Sequence, residues 1–120
     1  MMKSLSIALL LLFFLPLAAS AACEDPQTQT EMNICAHQDF ETADKKLNRV
    51  YAKHLPSLTK PHQTALRKAQ RAWIKYRDLA CKSYGLNAEG GSMQSMLVSN
   101  CLTKITHQRI KMLEDQFISY

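Results

Sequence analysis

The chain has 120 residues, a formal net charge of +5 and a hydrophobic fraction of 47%. A chain of this length holds about one domain with one modest core, which excludes a two-domain enzyme and a TIM barrel. Its three glycines and four prolines are few for a many-turned β-sandwich or barrel. The composition therefore favours helices, and the hydrophobic fraction argues against wholesale disorder.

The first 21 residues have the pattern of a secretory signal peptide. Lys3 supplies a positive start, an apolar run extends from Ile7 to Leu17, and Ala19-Ser20-Ala21 is a small-residue cleavage site. The run is short for a bilayer span and no stop-transfer segment follows it. The sequence therefore predicts a periplasmic or secreted protein without a transmembrane segment in its mature chain, with residues 22–120 as a single domain.

Four cysteines remain after cleavage, namely Cys23, Cys35, Cys81 and Cys101. An even number in a small exported chain predicts two disulfides, and the spacing alone allows three pairings. Alternatively, Cys23 is the acylated cysteine of a lipoprotein. Such sites usually carry an aliphatic residue where Ser20 stands here, and acylation would leave one thiol unpaired. A zinc site is disfavoured because no C-x-x-C spacing occurs.

Charge is distributed unevenly along the mature chain. Residues 22–44 contain six acids and no Lys or Arg, whereas residues 45–82 contain eleven bases and one acid, Asp78. One interpretation is structural, since such charges complement helix dipoles and pair between antiparallel helices. The other is a bipolar surface that presents acids to a cationic partner or bases to an anionic envelope polymer. Export argues against nucleic acid as a partner.

A first helix is predicted between a capping signal and a proline. Thr28-x-x-Glu31 has the pattern of a capping box, and Pro56 ends the helix. Apolar or weakly polar residues recur at alternating spacings of four and three, at Ala36, Phe40, Ala43, Leu47, Val50 and His54. This spacing places them on one helical face, which predicts the side that packs against the core.

A second helix is predicted to begin at Thr59 and Pro61. Gly85 fits a left-handed cap that would end it. The residues expected to face the core are again three and four apart, at Leu66, Ala69, Trp73, Tyr76 and Ala80. Trp73, at the centre of this face, is more often a core residue than a binding hot spot.

A polar loop over residues 87–91 separates the second helix from a third, which Ser92 is predicted to cap. One side of the third helix carries Met93, Leu97, Cys101, Ile105 and Met112, widened by Val98, Leu102, Leu113 and Phe117. Met93-x-x-Met96 is a pattern that binds a soft metal such as Cu(I), but methionines at this spacing are more often core residues.

No useful period-two alternation occurs, so the sequence predicts an all-α fold, a small three-helix bundle made of an antiparallel hairpin and a third helix. In an antiparallel hairpin, one turn of stagger brings Asp44 within reach of Arg77, as a structural ion pair. Without that stagger, residues whose numbers sum to about 116 face each other, and this register estimate places Cys35 near Cys81.

Candidate catalytic chemistry is sparse. The four histidines, His37, His54, His62 and His107, include no pair at the i, i+4 spacing of a helical metal site. No nucleophile motif or phosphate loop is present. The sequence therefore predicts a protein that is not an enzyme, with no catalytic residues, no metal site and no cofactor.

The run from Gln70 to Cys81 reads Q-x-x-W-x-x-x-R-D-x-x-C and resembles the signature of the LprI-type family of small exported bacterial proteins. Further matching segments are Glu31–Cys35, Ala43–Tyr51, Gly90–Ser92, Cys101 and Thr106-x-x-Arg109. The resemblance covers nearly the whole mature chain, from Cys23 to about Leu113.

The resemblance implies both a function and a set of structural residues. The family takes its name from a mycobacterial lipoprotein regarded as a lysozyme inhibitor. The resemblance implies that the matching positions form a structural network that holds the helices together. They are Asp44, Asn48, Trp73, Arg77 and Asp78. Each half of the family pattern carries two cysteines, which favours the pairs Cys23–Cys35 and Cys81–Cys101 over the pairing from the register estimate.

Together these observations predict an exported binding protein that inhibits a lysozyme-like muramidase by occluding its cleft. The candidate contacts are Asp39 and Glu41, expected on the outer side of the first helix, and Asn87, Glu89 and Ser92 in the polar loop. The alternative is a periplasmic envelope-interaction or structural protein without inhibitory activity. Such a protein would use the basic segment 45–82.

Overall fold

Three long helices make up almost all of the chain that the structure describes. The computed structural model describes residues 23–118, with α1 at Gln29–His54, α2 at Lys60–Gly85 and α3 at Gln94–Ile118. Short 3₁₀ turns at Leu55–Ser57 and Leu86–Ala88 connect them. No strand occurs within these residues. The predicted all-α fold is confirmed, whereas the predicted leader, residues 1–21, lies outside the described residues.

Local capping signals determine where α1 and α2 begin. The Thr28 hydroxyl accepts a hydrogen bond from the Glu31 amide, and the Glu31 carboxylate accepts one from the Thr28 amide, so the predicted capping box is confirmed. The Thr59 hydroxyl caps α2 by accepting a hydrogen bond from the His62 amide, without the reciprocal bond of a capping box. Pro56 lies in the 3₁₀ turn that follows α1, as its missing amide requires.

Two predictions at the other helix ends are wrong. Gly85 is not a left-handed cap, since its φ is −62° and it is the last residue of α2. A side chain at this position would overlap Cγ2 of Val98, so glycine is needed for the close approach of α3. The glycine with positive φ is Gly90, at 74°. Helix α3 begins at Gln94, so Met93, rather than Ser92, immediately precedes it.

The helices run up, down and up, with α3 packed along both of the others. Its contact with α1 is the more extensive, and α1 and α2 approach each other closely at few points. Helices α1 and α3 run in parallel, since Asn33 contacts Ser92 near their starts and Leu47 packs with Ile110 farther along. Small residues on α1, such as Ala36 and Ala43, permit this close packing.

An apolar core lies where α1 ends, α2 begins and α3 passes both. Its buried members are Leu47, Leu66, Ile110 and Leu113, with Val50, Tyr51, Leu55, Leu58 and Trp73 packed around them. The face predicted for α1 is confirmed, because Ala36, Ala43 and Leu47 are buried and Phe40 and Val50 are half-buried.

The faces predicted for α2 and α3 are partly wrong. Of the α2 residues expected inside, Leu66 is buried and Trp73 and Ala80 are half-buried, but Ala69 and Tyr76 are exposed. The buried positions of α2 include three polar residues, Gln63, Gln70 and Arg77. Of the residues predicted for α3, Met112 is exposed, as is Met93 just before the helix, and the side chain of Phe117 lies outside the described residues. Ser99 and Thr106 are buried. Polar partners on neighbouring helices satisfy the Gln70 and Arg77 side chains, which makes their burial possible.

Two disulfides, Cys23–Cys35 and Cys81–Cys101, join the cysteines. This is the pairing implied by the family resemblance, and the register estimate that placed Cys35 near Cys81 is wrong. The ion pair between Asp44 and Arg77 shows why. It sets a stagger that places Cys81 opposite Phe40, more than one helical turn from Cys35. The first bridge pins the segment before α1, and the second ties the end of α2 to α3.

Candidate functional site

A buried arginine joins all three helices. The side chain of Arg77 on α2 is 8% exposed, and its Nη1 donates to Asp44 Oδ1 on α1 at 2.9 Å. The same nitrogen lies 3.4 Å from the hydroxyl of Thr106 on α3, and Nε donates to Asp78 Oδ1 at 2.9 Å. Charge-assisted hydrogen bonds of this kind fix the direction of each partner as well as contributing energy. The ion pair predicted between Asp44 and Arg77 is therefore present.

Two aromatic rings enclose this guanidinium group. The Cζ atom of Arg77 lies 5.0 Å from the ring centre of Phe40 and 5.1 Å from that of Trp73. A second arginine, Arg109, approaches Trp73 at 5.9 Å and donates from Nε to Gln70 Oε1 at 2.9 Å. Burial lowers the pKa of Arg109 because desolvation disfavours the charged guanidinium.

The contacts of Arg77 in this arginine cluster are all within the protein, which is typical of an arginine that stabilises the fold rather than one that binds a ligand. The guanidinium of Arg77 is held by two carboxylates, a hydroxyl and two rings, so it is not directed towards solvent or a ligand. Four of the five residues in the predicted network contribute to it. The fifth, Asn48, is exposed on α1 and makes no hydrogen bond to the cluster in the described part of the chain. One helical turn beyond Asp44, its side chain lies past the reach of Arg77.

The acidic segment 22–44 and the polar loop meet at one surface, although the sequence predicted them as two separate contact regions. Asn33 Nδ2 on α1 donates to the carbonyl of Ser92 at 2.9 Å, and Gln29 Nε2 lies 3.6 Å from the sulfur of Met96. We call this surface the seam face. It comprises residues of α1, the loop and the start of α3, namely Asn33, Ile34, His37, Glu41, Ser92 and Ser95.

Two adjoining open grooves shape the seam face. The larger, with a volume of about 620 Å³, runs between Phe40 of α1 and the loop at Gly91 and Ser92. The smaller, about 390 Å³, lies on the other side of His37 and is bounded by Ile34 and Glu41. Three residues line both grooves, namely His37, Ser95 and Ser99. The imidazole of His37 is 3.6 Å from the Glu41 carboxylate.

The predicted contact residues are distributed unequally over this surface. Glu41 and Ser92 line the grooves. Asp39 is also exposed. Because residues i and i+2 of a helix are separated by about 200° around its axis, Asp39 lies on the opposite side of α1 from Glu41. Asn87 and Glu89 are exposed in the connection between α2 and α3, beside the grooves rather than in their walls.

Two features of the seam face were not predicted from the sequence. One is Ile34, a large apolar side chain that is 51% exposed at the smaller groove. The other is a row of hydroxyl residues, Ser92, Ser95 and Ser99, spaced three and four apart along the start of α3. That spacing indicates one helical face, and it could have been read from the sequence.

Within residues 23–118, no group of three or more His, Cys, Asp or Glu side chains is arranged to hold a metal ion. No helix among those residues combines the length and the apolar character needed to cross a membrane.

The sulfur of Met96 lies beside the Gln29 amide, and Met93 is 46% exposed. Neither methionine is part of the core that the sequence predicted for them.

Comparison with known proteins identifies the family. Residues 19–113 match the family described as Lysozyme inhibitor LprI. An uncharacterized protein of Rhizobium meliloti (strain 1021) is 41% identical over 106 aligned residues, which cover 78% of this chain and 76% of that protein. No solved structure matches the chain. The disulfides and the family together indicate an extracytoplasmic protein. The chain belongs to the LprI family of lysozyme inhibitors.

Proposed function

We propose that this protein binds a lysozyme-like muramidase through the seam face and inhibits it by occluding the substrate cleft. The observation that supports this most directly is the hydrogen bond between Asn33 and Ser92, which joins the acidic segment to the loop. A single surface therefore combines the Glu41 carboxylate, the apolar Ile34 side chain and a constrained loop. The family description supports the class of partner.

Electrostatics favour the seam face over the rest of the molecule for this partner. Lysozymes are typically cationic, whereas this chain carries a net charge of +5. The six acids between residues 22 and 44 lie in a segment without lysine or arginine. The Glu31 carboxylate is already engaged in the capping box, but Glu41 is exposed at the smaller groove. Charges of this kind at the rim of an interface mainly steer association.

Apolar contacts are the second requirement of a stable complex. Ile34 and Met93 are 51% and 46% exposed, and each follows a partner of the Asn33–Ser92 hydrogen bond in sequence. Side chains of this size contribute strongly when a partner excludes water from them. Ile34 would lie at the apolar centre of the seam face with Glu41 at its rim, and Met93 would add an apolar contact beside it.

The connection between α2 and α3 is the element best suited to enter a cleft. Its backbone is held by hydrogen bonds from Glu89 to Leu86 at 3.2 Å and from Gly91 to Ala88 at 2.9 Å. The Gln94 side chain also accepts from the Gly90 amide at 3.2 Å. A loop already fixed in its bound shape loses less conformational entropy when it binds.

A lysis assay with matched charge reversals tests the proposal. The chain from Ala22 onward, at micromolar concentration, is expected to slow lysis of a peptidoglycan substrate by at least one lysozyme class. Glu41→Lys should weaken inhibition by about tenfold or more, whereas Asp39→Lys, the same charge change on the other side of α1, should have a much smaller effect. Raising the salt from about 0.05 to 0.3 M should also weaken inhibition by screening.

Several lysozyme classes must be assayed, because no residue of the seam face selects one of them. Equal effects of Glu41→Lys and Asp39→Lys would contradict a role for the seam face. No slowing of any class would contradict inhibition itself. The envelope-interaction protein suggested by the basic segment would then be the better description.

A further inference from the structure

Six bases follow one side of α2 and form a continuous ridge. Counted at about 100° per residue from the buried Arg77, all six fall within a sector from about 80° to 180° around the helix axis. They are Lys60, Arg67, Lys68, Arg71, Lys75 and Lys82, and every one is exposed. We call this surface the α2 ridge. It extends over about 33 Å, at 1.5 Å per residue.

The charge of the α2 ridge is not neutralised by the protein. None of the six bases forms an ion pair in the described part of the chain. One acid, Asp78, lies in the same sector, and its carboxylate is already bonded to Nε of Arg77 at 2.9 Å. The first 18 residues of α2 contain no acid at all. Unpaired bases in a row repel one another and are stabilised by an external anion.

The shape of the ridge favours a flat partner. It lies on the convex side of a single helix, so the ends of its side chains can reach one plane together. The grooves that α2 forms with α3 contain one base each, Lys104 in one and Arg109 in the other, which provides no basic track for a polymer chain. Ile74 and Leu79, 39% and 57% exposed, flank the ridge on its two sides. Apolar side chains beside bases are typical of helices that rest on a lipid surface.

We propose that the α2 ridge docks the protein on an anionic lipid surface. The docking would be electrostatic, with the bases at the headgroups and the flanking apolar residues at the interface. The seam face belongs to α1, the loop and α3, so a lipid-bound molecule keeps it accessible. This inference does not depend on inhibition of a muramidase and is tested separately.

Sedimentation with lipid vesicles tests the proposal. The chain from Ala22 onward contains all three helices and both disulfides, and excludes the apolar leader, which would bind lipid by itself. It should bind vesicles with about 30% phosphatidylglycerol at low salt, and not neutral phosphatidylcholine vesicles. The triple variant Arg67→Gln, Arg71→Gln, Lys75→Gln should lower the partition coefficient about 100-fold, at about fivefold per charge.

The matched control removes the same charge from α1. The triple variant Lys46→Gln, Arg49→Gln, Lys53→Gln changes three exposed bases and should lower the partition coefficient less than about tenfold. Equal losses in the two variants would show a general effect of net charge and overturn the proposal. So would the absence of binding to the anionic vesicles. Binding to soluble polygalacturonate but not to vesicles would also overturn it, in favour of an anionic polysaccharide.

Discussion

Helices α1 and α2 are held to α3 by contacts of different kinds. The buried residues of α1, which are Ala36, Ala43 and Leu47, are all apolar. Those of α2 include two polar residues with partners on α3, Gln70 with Arg109 and Arg77 with Thr106, and a disulfide also ties α2 to α3. Apolar packing contributes most of the burial energy but is tolerant of small shifts, whereas a buried polar group loses its partner when it shifts. We infer that α1 supplies burial and α2 fixes the register of the bundle.

The largest difference should come from the two disulfides. Replacing Cys81 and Cys101 by alanine should lower the free energy of unfolding by about 3–5 kcal/mol, because a cross-link over 20 residues is lost and Cys81 is fully buried. Replacing Cys23 and Cys35, which pin only the start of α1, should cost about 2–3 kcal/mol. Urea denaturation measures both. A larger loss of unfolding free energy on removal of the Cys23–Cys35 disulfide would contradict the inference that α2 depends on its disulfide more than α1 does.

The arginine cluster tests the polar half of the comparison. Arg77→Ala should lower the free energy of unfolding by about 2–4 kcal/mol. It removes the guanidinium group that donates to both carboxylates, and so leaves Asp44 and Asp78 without their cationic partner. Asp44→Ala should cost about 1–2 kcal/mol, because Asp44 is 38% exposed and Asp78 still pairs with Arg77.

A double-mutant cycle then isolates the interaction. The two changes together should cost less than the sum of their separate effects, by about 0.5–2 kcal/mol. Lys75→Ala, an exposed change on the same helix, serves as the control and should stay within about 0.5 kcal/mol of the wild type. Strict additivity of the Arg77 and Asp44 changes would exclude a direct contribution of their ion pair to stability.

The close approach of α2 and α3 gives a smaller effect. Gly85→Ala should cost about 1–3 kcal/mol, since the added methyl group overlaps Cγ2 of Val98. Adding Val98→Ala should recover part of this loss. Gly90→Ala is the matched control, because its added methyl group meets open space and costs about 1 kcal/mol through the positive φ alone. Val98→Ala should not rescue that variant, and rescue of both would contradict the steric explanation. Thermal and urea denaturation provide the measurement.

The same contrast explains which parts of the fold were predictable. The capping box at Thr28 and the core face of α1 depend on local spacing, and both were predicted correctly. The burial of Gln70 and Arg77 depends on Arg109 and Asp44, which other helices supply. A pattern that assigns polar residues to the surface therefore misplaces Gln70, whereas the pairing of Arg77 with Asp44 was predicted from the register of the two helices. Gly85 was misread for the same reason, since its constraint comes from Val98 across the interface.

The candidate site divides in a similar way. The acids and the loop were each predicted as contacts, but their meeting at Asn33 and Ser92 follows from the parallel packing of α1 and α3, which local sequence does not encode. The separation of Asp39 from Glu41 around α1 could have been derived from the helical repeat. The exposure of Ile34 could have been derived in the same way, because Ile34 lies about 200° around α1 from Ala36 on the predicted core face.

The bridge between Cys81 and Cys101 also encloses the whole connection that we propose to enter a muramidase cleft. An exposed loop of this kind is a preferred place for proteolytic attack outside the cell. A single cut of the backbone anywhere between these two cysteines leaves the two fragments covalently joined. The half carrying α1 and α2 therefore stays attached to α3 after such a cut, and the protein can be nicked in this connection without dissociating into separate pieces.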